Sequence, residues 1–328
     1  MLPSGLSMLW ESAEPQEALY SRFGFGGFTQ AAEWIAISLA QEWDVTVHDC
    51  RRLVISGDNA IAWADSDRGA LVVKWSRARH QFDGLAASTH LLSRLKERGL
   101  PVAGPIRATA GADRVVLDGP VGPLSVAALP KLDGHWLDVD DPAEVRAAGA
   151  CLAELHLALA GYTDPRLWRP ADAEGVDRRV RRWLADRDSD LAPEASVRLT
   201  SLVAGLPPLP DVAQPVHNDF RAANILTHDG RIVAVLDFDE VAWDHPVSDL
   251  AKAGVYLATL FRNWQPTPDT VRRHLRTGYE SVCPLAPLES RWLEALTLWQ
   301  SIVAVPHAHD PAAWTHALSM IPEGTPST

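Results

Sequence analysis

Between Val216 and Val241 the chain reads VHNDFRAANILTHDGRIVAVLDFDEV, and this stretch gathers the side chains best suited to chemistry. It holds His217-Asn218-Asp219, then Asn224 five residues past that aspartate, then Asp237-Phe238-Asp239 thirteen residues further on. Two short apolar runs, Pro215-Val216 and Ile232 to Leu236, place these groups on loops at strand ends. A lone aspartate in a loop is far more often solvated or capping than catalytic, so it is the ordered set that carries weight. The set meets the demands of phosphoryl transfer. A nucleoside triphosphate brings several negative charges, and Mg²⁺ takes hard oxygen ligands from one or two side chains together with the phosphates. Asn224 and Asp237 offer such oxygens. An acceptor hydroxyl must also be oriented in line and relieved of its proton, which the Asp219 carboxylate can do.

In protein kinases the corresponding string is His-Arg-Asp, an Asn at the same offset, then Asp-Phe-Gly. Through His217, Asp219, Asn224 and Asp237 the chain resembles the aminoglycoside phosphotransferase and choline kinase-like family, small-molecule kinases with a protein-kinase-like fold. The resemblance runs from about Asp49 onward, and its specific motifs lie between Lys74 and Asp249. It implies an α+β, two-lobe architecture with a small antiparallel sheet in the N-terminal lobe, a larger mainly helical C-terminal lobe, and the nucleotide in the cleft between them. It further implies ATP (or GTP) and Mg²⁺ as cofactors, Asp219 as base, and His217 as a brace for the loop. Asp249 would cap a helix and brace the same loop. Asp239 stands where protein kinases carry glycine and becomes a candidate for the substrate side.

The elements that must position these groups are legible in outline. Thr29 to Trp43 carries apolar residues at helical spacing with Thr29 as N-cap, whereas residues 1 to 28 show no period and read as loop or turn. Cys50 to Ser56, Ala60 to Ala64 and Ala70 to Trp75 read as successive strands separated by polar turns. By the resemblance, the first turn, Ser56-Gly57-Asp58-Asn59, lies over the nucleotide phosphates, and Lys74 at the end of the third apolar run contacts the α- and β-phosphates. The family holds that lysine with a glutamate from the next helix. Here that helix, Gln81 to Arg98, offers Ser88 or His90 at the matching place, with Asp83 upstream and Glu97 late.

Leu100 to Ile106, Arg114 to Leu117 and Ser125 to Leu132 are expected to complete the sheet and lead into a hinge at Ala128 to Gly134. Adenine normally docks on hinge backbone groups in this fold; Pro130 has no N–H, so Leu129 or Lys131 would donate. The N-terminal lobe is therefore set at residues 1–133, with its leading helix at 29–43, and the catalytic and acceptor-binding lobe at 134–328. Asp141 and Pro142 open a long helix to Ala160, and His156 on its apolar side reads as a satisfied core histidine. The Arg-rich run Arg178 to Trp183 reads as a solvated face paired to Asp186, Asp188 and Asp190. Leu250 to Arg262, Thr270 to Glu280 and Leu288 to Val303 read as helices, and the tail PEGTPST as disordered. Core packing is the default for each tryptophan, yet Trp243, Trp264 and Trp299 fall where the family fold varies with substrate and are candidates for an acceptor pocket.

Composition narrows the function classes. Of the 30 basic residues 26 are Arg and 4 are Lys, and the net charge is −12, the wrong sign for the basic stripe that nucleic-acid binding requires. Residues 1–133 hold 15 acidic and 13 basic side chains, residues 134–328 hold 27 and 17, so the acidity sits in the acceptor-binding half and leans toward an amine-bearing acceptor. No apolar run approaches the ~20 residues of a membrane span. The acidic N-terminus does not read as a secretory signal, and Cys50, Cys151 and Cys283 lack disulfide or zinc spacing, so the chain is expected to be cytoplasmic. The reading reached is an ATP-dependent phosphotransferase acting on a hydroxyl of a small molecule, an antibiotic of aminoglycoside type or an amino sugar first. A kinase of an amino alcohol such as choline or homoserine, and a non-catalytic nucleotide-binding pseudokinase, are the alternatives.

Overall fold

The computed structural model describes residues 5–167, 174–186, 192–210, 212–261, 263–306, 310 and 312–319. The chain divides into two compact units, Met1–Asp133 and Gly134–Thr328. The first is built on a six-stranded sheet. Its strands are β1 (Gly5–Met8), β2 (Val47–Ser56), β3 (Asn59–Ser66), β4 (Gly69–Ser76), β5 (Val115–Gly119) and β6 (Gly122–Pro130), ordered β1-β2-β3-β4-β6-β5. Every neighbouring pair is antiparallel except β1 with β2, which run parallel with Gly5 opposite Arg52.

Residues read as loop thus hold the edge strand β1 and a helix, α1 (Pro15–Phe23). Neither is long enough to show a period. Local chemistry sets α1 instead: the Glu14 side chain caps the Glu17 N–H, Pro15 supplies a helical φ at the first position, and Gly24 stops the helix at φ 78°. The following helix, α2 (Phe28–Trp43), is capped by Gly27 rather than Thr29. The segment Leu100 to Ile106 is not a strand; Pro101 and Pro105 lack the N–H groups a ladder needs, and its Ile106 N–H bonds Ala128 O from outside the sheet.

The period-two alternation of β4 decides where its lysine goes. Leu71, Val73 and Trp75 are buried in one core with Leu19, Phe23, Ile35, Leu39 and Trp43 from α1 and α2. Lys74 takes the other face, paired in register with Ile61 of β3 and Ala127 of β6. On that face Ala127 and Leu129 pack with Ala103 and with Leu92 of α3 (Phe82–Glu97).

The second unit carries helices α4 (Pro142–Leu159), α5 (Val176–Ala185), α6 (Pro193–Ala204), α7 (Pro246–Tyr256), α8 (Asp269–Glu280), α9 (Pro287–Val303) and α10 (Trp314–Ser319). Between α6 and α7 the chain forms two small sheets. Strands β9 (Ile225–His228) and β10 (Arg231–Val235) make a hairpin that β7 (His135–Trp136) extends, and β8 (Gln214–Val216) pairs antiparallel with β11 (Ala242–Asp244). Helix α7 starts earlier than the apolar period from Leu250 suggests, because His245 and Pro246 give it a cap and a first residue upstream, and it ends at Tyr256. No described helix is long and apolar enough to cross a membrane. Asp188, Asp190 and the C-terminal tail lie outside the described residues.

Helices α4 and α8 meet at backbone distance, through two glycines. A Cβ on Gly149 would stand 2.0 Å from Leu275 O, and one on Gly278 would stand 2.0 Å from Arg146 O. Backbone on both sides leaves no flexible side chain to yield. Gly149→Ala is therefore expected to destabilise the chain by about 3 kcal/mol, the upper end of overpacking penalties, read as a fall in the urea midpoint. An unchanged midpoint would mean that the two helices can separate freely.

Candidate active site

The loop that follows β8 is held by a buried carboxylate. Asp249 lies in the first turn of α7, with its side chain 1% exposed. Its Oδ2 accepts from the His217 N–H at 3.2 Å and its Oδ1 from the Asn218 N–H at 2.8 Å. Oδ2 also takes the Nε2–H of His156 on α4 at 3.0 Å, and the Nδ1 of that imidazole meets the Tyr279 hydroxyl of α8 at 2.9 Å. Burial, the largest single influence on Asp249, raises its pKa. It is outweighed by the His156 hydrogen bond and charge and by the Asn218 N–H, and the carboxyl is held below its ordinary value. Asp249 braces the loop but does not cap the helix. The cap of α7 is His245, whose Nδ1 accepts from the Val247 N–H; burial keeps this imidazole's pKa low, which suits a ring nitrogen acting as acceptor.

His217 is fully buried and joins the loop to the strand end that carries Asp237. Its Nε2–H donates to Leu236 O at 2.9 Å, so Nδ1 is the acceptor and takes the Asp219 N–H at 3.2 Å. Its ring packs edge-on against Phe238, 4.7 Å between centroids, and Phe220, 5.8 Å. Leu236 N–H in turn bonds Asn224 O at 2.8 Å, and the Asn218 amide bonds Glu240 O at 3.1 Å. The predicted set Asp219, Asn224 and Asp237 is thereby stitched into one structure by two bonds to the main chain of Leu236, one from the His217 imidazole and one to Asn224 O. Asn218 and Asp237 both sit in the left-handed region, φ 63° and 62°. Asn and Asp tolerate that conformation best among residues with a Cβ, and it is a mark of over-determined, functional backbone.

At the centre, Asn224 donates its amide to Asp219 O at 2.9 Å and to Asp219 Oδ2 at 2.8 Å. With Nδ2 engaged, the amide's Oδ1 is its one acceptor atom. A residue that sequence reasoning passed over completes the group: Arg221 donates Nε to both carboxylate oxygens of Asp219, at 2.9 and 3.1 Å. Its signal was present, a cation inside the apolar run Phe220 to Leu226. Among the described residues no three His, Cys, Asp or Glu side chains form a metal cage. Asn224 and Asp237 fit a Mg²⁺ of the kind that takes few protein ligands and completes its shell with phosphate oxygens and water.

The predicted residues of the first unit are described on their own. Ser56 and Asn59 close the β2–β3 hairpin, with Gly57 at φ 54° and Asp58 bonded through its carboxylate to Arg77 Nε at 2.7 Å. Ser88 donates to Leu85 O and His90 bonds Asp113, so neither takes the place of the family's glutamate; Asp83 is exposed and Glu97 pairs with Arg94. The Lys131 N–H, one of the two hinge donors expected, is taken by Ala70 O at 2.9 Å because the strand pairing of β4 continues past Pro130; Leu129 lies within β6.

Of the tryptophans, Trp264 is 47% exposed and the Arg221 guanidinium lies 5.4 Å from its ring centre. Trp243 on β11 and Trp299 on α9 are half-buried, and Asp239 lies in the short turn after Asp237. The Arg-rich helix is not merely a solvated face: Arg179 of α5 forms a largely buried ion pair with Asp244, while Arg182 pairs with Glu174.

Replacing Asp249 by Asn removes the charge and turns an amide NH2 toward donors that a carboxylate oxygen served, in a buried setting, an expected loss of about 3 kcal/mol at neutral pH. The pH dependence has a definite sign. The ordinary carboxyl value is 3.8 and the folded value lies below it, so the unfolded chain binds the proton more readily. The stabilisation is complete above the ordinary value and is lost as pH falls toward the folded one. Urea titrations from pH 7 downward should show this acid-dependent component in the parent chain and its absence in Asp249→Asn.

The phosphotransferase enzyme family model matches residues 51–285, which contain Lys74 and every residue of the loop just described. A homoserine kinase of Methylobacillus flagellatus is 27% identical over 290 residues, 80% of this chain and 84% of that protein. Among solved structures, a microcompartment-associated aminopropanol kinase superposes with a TM-score of 0.60 at 20% identity, covering 88% of this chain and 94% of its own. An amicoumacin kinase in complex with AMP-PNP and Ca²⁺ superposes with a TM-score of 0.57 at 18% identity, covering 88% and 91%. With the match spanning well over half the chain, and the protein-kinase-like fold shared with these kinases, this chain belongs to the phosphotransferase enzyme family.

Proposed function

We propose that the chain transfers the γ-phosphate of ATP, or GTP, to a hydroxyl of a small molecule in the cytoplasm, with neither nucleic acid nor membrane as partner. The observation that carries this reading is the joined group Asp219, Asn224 and Asp237, in which the asparagine amide turns its donors to Asp219 and keeps its oxygen for a cation. Asn224 and Asp237 would hold Mg²⁺, which when bound neutralises charge on the phosphates. Lys74 would hold the α- and β-phosphates and the Ser56–Asn59 turn would cover them; Leu129 faces Val72 in the same ladder that engages Lys131, so the adenine would need another hinge group.

Asp219 would orient the acceptor hydroxyl and accept its proton as the oxygen attacks the γ-phosphorus and the bond to the β–γ bridging oxygen breaks. Positioning and charge neutralisation supply most of the rate in such transfers. His217 would act by fixing the loop, since both of its ring nitrogens are engaged within it.

For the acceptor, an amine-bearing antibiotic or amino sugar is the first reading, supported by the acidity of residues 134–328 and by the exposed ring of Trp264, a flat surface for a sugar face. Trp243, Trp299 and Asp239 remain candidates for the same pocket. The second reading is an amino alcohol; it is favoured by the length of the match to homoserine kinase.

A coupled nucleotide-consumption assay with Mg-ATP and Mg-GTP, run against aminoglycosides, other hydroxylated antibiotics, amino sugars, aminopropanol, choline and homoserine, separates the two. Asp219→Ala should lower turnover by about a thousandfold or more while nucleotide still raises the melting temperature. Near-normal turnover in that variant would remove Asp219 from the reaction. Lys74→Ala should act differently, weakening nucleotide binding in the same melting assay.

A further inference from the structure

Arg221 has an unusual set of contacts for a guanidinium beside a catalytic loop. Its side chain is 9% exposed, its Nε reaches both oxygens of Asp219, and it lies against the ring of Trp264. Among the described residues neither terminal nitrogen has a hydrogen-bond partner, and Nη1 is buried without one. A buried donor without a protein partner is unfavourable, so the guanidinium keeps donor capacity beside the Asp219 carboxylate. The single Nε–H shared by the two carboxylate oxygens leaves the Nη groups outside that contact.

We propose that Arg221 assists phosphotransfer in two ways: it holds the Asp219 carboxylate through Nε, and it offers Nη2–H to an oxygen of the acceptor next to the reacting hydroxyl. The inference rests on the phosphotransferase reading and adds a selectivity to it. The acceptor presents two neighbouring oxygens, as a vicinal diol or a hydroxy ether does, with an apolar ring face or carbon chain against Trp264. One oxygen is aligned by Asp219 and the other by Arg221. Arg221 also cancels the charge of Asp219, so recognition at this point depends on oxygen geometry rather than on a cation.

The test uses the full chain and the variants Arg221→Gln, Arg221→Lys, Asp219→Ala and the double Asp219→Ala/Arg221→Gln, with melting curves to verify folding. Turnover is read with the acceptor that the panel yields, or as slow hydrolysis of Mg-ATP with water as acceptor. Arg221→Gln should lose about 100-fold in kcat, the scale of a misplaced reacting group, with the nucleotide KM changed less than about twofold. Arg221→Lys should recover little of this, and Arg221→Gln should cost clearly less on top of Asp219→Ala than it costs in the parent chain, because part of its effect runs through Asp219. With an organic acceptor, deleting the neighbouring oxygen should cost at least about tenfold in kcat/KM in the parent chain and nothing further in Arg221→Gln.

Arg221→Gln within about threefold of the parent, or a loss that multiplies undiminished onto Asp219→Ala, overturns the proposal while leaving the phosphotransferase reading intact. A parent chain that consumes no nucleotide under any condition overturns both.

Discussion

A carboxylate with no access to water must be satisfied by donors, and the Asp249 carboxylate meets that demand with the backbone of the loop carrying Asp219. Two consecutive N–H groups, from His217 and Asn218, cannot both point at one side chain unless the chain turns sharply between them, and Asn218 takes the left-handed conformation that the turn needs. The third donor brings in the helices. His156 on α4 reaches Asp249 and Tyr279 on α8 reaches His156, so loop, α4, α7 and α8 meet at one buried polar network. Gly149 and His156 lie seven residues apart on α4, two turns along one face, and Gly278 precedes Tyr279. The bare backbone contact at the glycines is what lets α8 come near enough for the phenol to reach the imidazole.

From that anchor the rest of the site is specified by bonds to the main chain of Leu236. Leu236 donates to Asn224 O and accepts from His217, so the strand end bearing Asp237 is fixed to the loop bearing Asp219 on both sides of one peptide. Side chains that rest on such a frame lose little freedom when ligands arrive, which is the physical content of preorganisation. The aromatic packing of His217 between Phe220 and Phe238 excludes water from those bonds and strengthens them.

The loop from His217 to Asp237 could be read in the sequence because its chemistry is fixed by residue type and spacing, and a hairpin offers few ways to meet both. The strands of the first unit were legible for a similar reason, through alternation. What was not legible lacked a local signal. Strand β1 spans four residues, and α1 is set by Glu14, Pro15 and Gly24 rather than by any apolar period. His156 was correctly placed in the core, but that it satisfies Asp249, 93 residues away, is a fact of tertiary structure. Lys131 looked available to a ligand because the sequence does not say how far β6 continues its pairing with β4. Arg221 was visible as a cation in an apolar run. Its meaning came only with the 2.9 Å contact to Asp219.

The same contacts qualify what the acidity of the second unit can mean. Residues 134–328 carry 27 acidic side chains against 17 basic ones, an excess that suggests attraction for an amine. Yet the carboxylates around the loop have partners of their own. Asp249 is committed to three N–H groups, Asp244 to Arg179, Ser248 and the His245 N–H, and Asp219 to Arg221 and Asn224. Charges neutralised at contact distance add little to the field that an approaching ligand feels, and the remaining surface charge is screened within about 8–10 Å at ordinary salt. The net charge of the lobe therefore gives an amine a general attraction and leaves the choice among acceptors to local groups. Discrimination among acceptors in a site of this kind must come from the few polar groups held in place beside the reacting hydroxyl and from the shape of the apolar wall facing them.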